Sequence, residues 1–101
     1  MNKTDQSYQS IVDELATELL DRQPNELIVH PDYGTHRRQV SDDMAEVGFW
    51  HYPFSDDKHH IVFKTSRRVF LFLYRSYVNG VVFGRNTPPR LMTPEEAGDY
   101  D

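Results

Sequence analysis

Residues 67–85 read RRVFLFLYRSYVNGVVFGR, and the conformation of this stretch decides the fold of the whole chain. Two readings compete. In one, Ser66 caps a helix over Arg67–Val78 that Asn79-Gly80 ends, with apolar residues spread over more than half of the helical wheel. In the other, the stretch is a strand that enters a two-residue Asn79-Gly80 type I′ turn and returns as Val81–Arg85. Asn-Gly flanked by valines is a strong short-range hairpin signal, so the hairpin is the reading adopted. In that register Val78 faces Val81, Ser76 faces Phe83 and Tyr74 faces Arg85. Phe70, Phe72 and Tyr74 fall on one face, and Val69, Leu71 and Leu73 on the other. A strand that is apolar on both faces near its start belongs in the centre of a sheet, covered on both sides there and half exposed towards Arg75.

Working outward from the hairpin, the N-terminal segment supplies the cover. Tyr8, Ile11, Val12, Leu15, Leu19 and Leu20 recur at helical spacing, with Thr4 as cap, Asp5 in the first turn and Pro24-Asn25 closing the segment. Glu26–His30 reads as a short strand ended by a Pro31–Gly34 turn. Ser41–Gly48 has a capping serine, early acids and a terminal glycine, which predicts one or two turns of helix. Phe49–Phe54 (FWHYPF) reads as an edge strand because of its proline, and His60–Thr65 alternates as a strand should. Thr87–Arg90 (TPPR) reads as a short extended connector. The fold expected is α+β: an N-terminal amphipathic helix packed on a small antiparallel sheet of four or five strands, over residues 1–94, followed by an acidic C-terminal tail, 95–101.

A chain of 101 residues is one domain, with room for a modest core but not for a deep cofactor cavity, so no cofactor is expected. Six Phe, six Tyr and one Trp compensate for a hydrophobic share of only 38%. The absence of cysteine excludes disulfides, thiolate zinc sites and cysteine nucleophiles, and suits a reducing, cytoplasmic setting. The longest apolar run, Val69–Tyr74, is far short of the roughly 20 residues of a membrane-spanning helix. No membrane partner is therefore expected.

Charge is unevenly laid out. The net −5 of the chain divides into −7 over residues 1–60, +6 over 61–94, where no acid occurs, and −4 over 95–101. Either the halves neutralise one another within the fold, or one face is kept for a charged partner. Glu14, Glu18 and Asp21, at i, i+4 and i+7, form a carboxylate row that can meet a basic partner, including a protein whose nucleic-acid-binding site it would occupy. Trp50 and Tyr52 are of the types that anchor protein interfaces, and an edge strand bearing both can dock a partner or a second copy of the chain. Arg67, Arg68, Tyr74, Arg75, Tyr77 and Arg85, within the basic aromatic segment 61–90, offer cations for phosphates and rings for bases.

Pro31-Asp32 followed by Asp56-Asp57-Lys58 resembles the PD-(D/E)xK pattern of restriction-type nucleases, which implies Mg²⁺ held by the acids and a lysine assisting an activated water. In that family the second acid and lysine sit on a hydrophobic strand, whereas Ser55–Lys58 reads here as the loop before one. His30, His36, His51, His59 and His60 lack paired metal-ligand spacing, and His59 and His60 point to opposite faces of a strand. No nucleophile elbow or phosphate-cradling glycine loop occurs, so neither catalytic residues nor metal ligands are assigned. The reading is a small non-enzymatic interaction protein that regulates or inhibits a macromolecular partner, foremost a protein. Direct nucleic-acid binding stands as its alternative, and the Mg²⁺-dependent nuclease as a weaker one.

Overall fold

Among the described residues, five antiparallel strands lie in sequence order, with a helix on each face and a two-stranded arm projecting from one end. The computed structural model describes residues 3–29, 35–40 and 43–101, with the side chains of 3–5 and 35 left aside. The elements are α1 (Lys3–Glu18), α2 (Pro24–Ile28), β1 (Thr35–Val40), β2 (Asp43–Ser55), β3 (Lys58–Phe70), β4 (Leu73–Gly84), β5 (Thr87–Leu91) and α3 (Pro94–Gly98). This is the α+β architecture expected, with the amphipathic helix on an antiparallel sheet.

Tyr8, Val12, Leu15, Ala16 and Leu19, one turn apart along the N-terminal segment, bury against Val47, Phe49, Ile61, Phe63, Tyr77, Val81 and Phe83. The strand residues among these are odd-numbered because the pleat sends alternate side chains to the same face. Phe49 and Phe63 are direct cross-strand partners and stack at 4.8 Å, and Tyr8 stacks on Tyr77 at 5.4 Å. α1 runs over Lys3–Glu18, so Thr4 lies within its first turn. The helix tightens and ends through Leu19 N–H to Ala16 O and Leu20 N–H to Thr17 O, both 3.1 Å.

Residues 67–78 are extended and not helical, but the hairpin expected about Asn79-Gly80 does not form, and Val69–Tyr74, expected to be covered at the centre of the sheet, are exposed. The chain turns at Leu71-Phe72, so Tyr74 faces Arg68, Arg75 faces Arg67, Ser76 faces Ser66 and Val78 faces Lys64. Asn79-Gly80 lies within β4 and attaches α1: Asn79 Nδ2 donates to Asp13 Oδ1 at 2.7 Å, and Asn79 Oδ1 accepts from the Gly80 N–H at 2.7 Å. Gln9 Nε2 donates to the same Asp13 oxygen at 2.9 Å. Hydrogen bonds to a charged acceptor are each worth about 1.5–3 kcal/mol, enough for a tertiary contact to outweigh a local turn preference. Gly80 is needed for space as well, since a Cβ there would lie 2.1 Å from the Ile61 carbonyl oxygen.

Three further expectations are corrected. Glu26–Ile28 belongs to α2 and not to a strand: Pro24 occupies the first turn, the Gln23 N–H donates to Glu26 Oε1 at 3.3 Å, and Leu27 is fully buried. Asp43–Gly48 is strand and not helix, because Ala45, Val47 and Phe49 alternate inward against the core. Thr87–Leu91 pairs with β4 as an edge strand, the one position where two prolines are tolerated in a sheet. Ser41, the Pro31–Gly34 turn and Asp32 lie outside the described residues.

On the opposite face Val62, Val78 and Met92 form a second cluster, closed by Val82, Ala97 and Tyr100. The last seven residues, with their four acids, supply this cover. α3 starts in a capping box, in which Thr93 Oγ1 accepts from the Glu96 N–H at 3.2 Å and the Thr93 N–H donates to Glu96 Oε1 at 2.9 Å.

Leu71 has φ 36°, a left-handed conformation that costs a side-chain-bearing residue about 1–2 kcal/mol. Leu71→Gly is expected to raise stability by about 0.5–1 kcal/mol, after allowing for the greater unfolded-state freedom of glycine. Gly80→Ala is expected to lower it by more than about 2 kcal/mol by forcing the ladder apart at Ile61. Urea unfolding of the two variants against the parent chain reads both.

Candidate functional site: an aromatic ledge and a basic arm

The exposed side of β2 follows from where β1 stops. β1 pairs with β2 only from Asp43 to Gly48, so residues 49–55 have β3 on one edge and, among the described residues, no strand on the other. Along this stretch the odd positions Phe49 and His51 turn to the α1 side, while Trp50, Tyr52 and Phe54 stand on the other face, 46%, 38% and 58% exposed. Pro53 is tolerated because this edge is open.

Gly48 shapes the ledge. The Trp50 indole folds back over it, so a Cβ at Gly48 would come within 2.0 Å of the ring. Trp50, Tyr52, Val62, Lys64 and Tyr100 line a shallow hollow of about 310 Å³. The Tyr52 and Tyr100 rings lie 5.0 Å apart, Lys64 Nζ donates to the Tyr100 carbonyl oxygen at 2.8 Å, and Tyr100 Oη bonds His60 Nδ1 at 2.8 Å. Phe54 meets His60 edge-on at 4.8 Å, with Lys58 Nζ 5.5 Å from the Phe54 centroid. The C-terminal segment is thus one wall of the hollow. The signal for this wall was the T-P-E-E capping box at Thr93, which marks a helix start and argues against a free tail.

The carboxylate row is only partly a helix face. Glu14 and Glu18 are exposed on α1, but the helix ends at Glu18 and Asp21 falls in the following turn. Asp13 turns inward to Asn79.

The basic residues divide between two ends of the molecule. Arg67, Arg68 and Arg75 gather on the β3–β4 arm with Tyr74, whereas Arg85 lies at the far end, its N–H donating to Asp56 O at 2.9 Å. Tyr77 is buried against Tyr8, its hydroxyl accepting from Arg67 Nε at 3.4 Å, so no base could stack on it. Arg90 pairs with Glu96 in a two-pronged bridge, 2.8 and 3.0 Å, which holds the Glu96 carboxyl down at about 2. Arg37 pairs with Glu46 at 3.4 Å on the surface.

Asp56 and Asp57 form the β2–β3 turn and Lys58 opens β3. Among the described residues no three His, Asp or Glu side chains converge on a point where a metal ion could sit. The histidines at 59 and 60 do point to opposite faces. His51 Nε2 and His59 Nδ1 share a hydrogen bond of 2.8 Å beside Phe83, and His60 sits under Tyr100 with its Nε2 buried and unpartnered. Burial pushes the pKa of His51 down, and the neighbouring His59 pushes it further. Burial likewise lowers that of His60.

No protein family, curated protein or solved structure matches this chain.

The histidines make the fold acid-sensitive. Because His51 and His60 titrate below the unfolded value near 6.5, the unfolded chain takes up protons first. Their contribution is complete above about pH 6.5 and is lost as the pH falls below it. Glu96 adds a second loss between its ordinary 4.5 and about 2. The melting temperature is expected to fall between about pH 7.5 and 5, and the fall should be smaller in a His51→Gln, His60→Gln double variant.

Proposed function

We propose that the chain is a binding protein and not a catalyst, and that it regulates or inhibits a macromolecular partner, foremost another protein. The observation that carries this reading is the aromatic ledge: Trp50, Tyr52 and Phe54 stand exposed in a row, beside a hollow floored by Val62 and walled by Tyr100. Tryptophan and tyrosine around a hollow with an apolar floor are the composition of an interface anchor, supplying large rigid area with a polar rim. Lys64 and the Tyr100 hydroxyl are the rim.

Glu14 and Glu18, exposed on the outer side of α1, set the charge that a second part of the partner would meet, including a basic nucleic-acid-binding site. The outermost strands oppose pairing with a second copy, β1 through Arg37 and Arg38 and β5 through Pro88 and Pro89. A self-association surface, if used, would therefore be the open half of β2.

Crosslinking capture from the native cell, with the parent chain and two variants side by side, tests this. Trp50→Ala leaves the fold intact, since the ring is nearly half exposed, and is expected to weaken capture of the protein partner tenfold or more. Glu14→Lys with Glu18→Lys is expected to slow association and reduce its salt dependence. Recovery of the same proteins in equal amount by the parent and Trp50→Ala would remove the ledge as the contact.

A further inference from the structure

Val69–Tyr74 stand at the end of the β3–β4 arm, six apolar side chains in succession, exposed by between 42% for Val69 and 92% for Phe72. The arm extends beyond the rest of the sheet. β2 pairs no further than Lys64, and β5 no further than Val81, so among the described residues neither edge of Ser66–Ser76 carries a strand. The molecule measures 43 × 23 × 20 Å, the long axis of a body with a projection. Soluble monomers rarely expose a continuous apolar patch of this size without a use for it.

We propose that the arm inserts its tip into the headgroup and upper acyl region of an anionic lipid surface. Depth fits first. From Arg68 to the turn is about three residues at about 3.3 Å each, a reach of about 10 Å, matching the 5–10 Å to which interfacial apolar segments sink. Charge fits second. Arg68 and Arg75 follow directly behind the tip and, at non-facing positions of the ladder, project from opposite faces, while Arg67, opposite Arg75, is drawn back onto the Tyr77 hydroxyl and the Tyr8 ring. Cations on both faces form a collar around an end-on insertion, whereas docking by one face would call for them on one side only. Residues 66–76 hold three arginines and no acid, whereas the rest of the chain is net acidic, so net attraction favours the arm and sets its orientation.

Turn chemistry is the third observation. A two-residue hairpin turn prefers glycine or asparagine, yet here Leu71 accepts a left-handed backbone and exposes its side chain by 64%. Two unfavourable features kept at one residue point to a use for the apolar tip itself. A second copy of the chain suits the arm poorly, because pairing two arms would bring both sets of arginines together. Nucleic acid suits it poorly too, since wedges into a base stack are one or two side chains and not six. The expectation of no membrane partner rested on the length of a spanning helix, and no helix among the described residues is long and apolar enough to span. An inserting hairpin tip needs no such length.

Flotation of the full chain with vesicles tests the proposal independently of the ledge. At low salt the chain is expected to float with phosphatidylcholine vesicles containing phosphatidylserine and not with phosphatidylcholine alone, and added salt should release it. Phe72→Ser, a change at an exposed site that leaves the fold intact, should weaken binding tenfold or more. Arg68→Gln and Arg75→Gln should each weaken it about fivefold. With Trp50→Phe as background, Phe72→Trp should shift its emission to the blue on anionic vesicles. No flotation with either vesicle, equal flotation with both, or binding untouched by Phe72→Ser would overturn the proposal. So would either of two alternatives seen without vesicle binding: a dimer in the ultracentrifuge that Phe72→Ser dissociates, or oligonucleotide binding that Arg68→Gln abolishes.

Discussion

The ladder between β3 and β4, running from His59 opposite Phe83 out to Phe70 opposite Leu73, is the constraint on which the other contacts depend. Its register places Ile61, Phe63, Tyr77, Val81 and Phe83 on the α1 face and Val62 and Val78 on the other. A slip of one residue would exchange the two sets and leave both helices facing the wrong side chains. Half of the ladder lies within the five-stranded sheet. The other half is the arm, which the same register carries into solvent with its apolar end uncovered.

The two covers of the sheet differ in kind. α1 buries an apolar stripe and adds polar links, Asn79 to Asp13 and Gln9 to the Val78 carbonyl, so that side is secured mainly by area removed from water. The C-terminal segment buries less and relies on directed bonds: Arg90 with Glu96, Lys64 with the Tyr100 carbonyl, and Tyr100 Oη with His60. Because Trp50 and Tyr52 share a hollow with Tyr100, whatever loosens this second cover also reshapes the proposed contact surface. Protonation of His60 would place a charge under Tyr100 with no acceptor for its buried Nε2, a local reason for that coupling.

The lopsided charge of the sequence becomes a division in space, though not the one its linear order suggests. The positive run does not stay whole. Arg90 is taken up by Glu96, Lys64 by a backbone carbonyl, Arg67 by the Tyr77 hydroxyl and the Tyr8 ring, and Arg85 by position at the far end, so the exposed cations at the base of the arm are Arg68 and Arg75. The negative half divides likewise, Asp13 turning inward while Glu14 and Glu18 remain outside.

What could be read from the residues alone was whatever is local and periodic. The α1 stripe at Tyr8, Val12, Leu15 and Leu19, the alternation around Ile61 and Phe63, and the opposed faces of His59 and His60 all follow from helix and strand periods, and the structure agrees with each. That Phe49–Phe54 is a strand was legible too, but whether Trp50 and Tyr52 belong to the core or to the surface was decided by the fold. The turn was not legible: Asn79-Gly80 has the local preference for a hairpin, but Asp13 lies 66 residues away in sequence and only the folded chain brings it to Asn79. Leu71-Phe72 has no turn signal at all, so the arm, its tip and the burial of Tyr77 became visible only once long-range pairing had set the register. Local preferences are worth about 1 kcal/mol, and a buried cross-chain bond to a carboxylate together with a continuous ladder exceeds that sum. For this reason α1 and the strand around Ile61 and Phe63 were decided by local sequence, whereas the strand at Asp43–Gly48, the turn at Leu71-Phe72 and the surfaces presented were decided by tertiary structure.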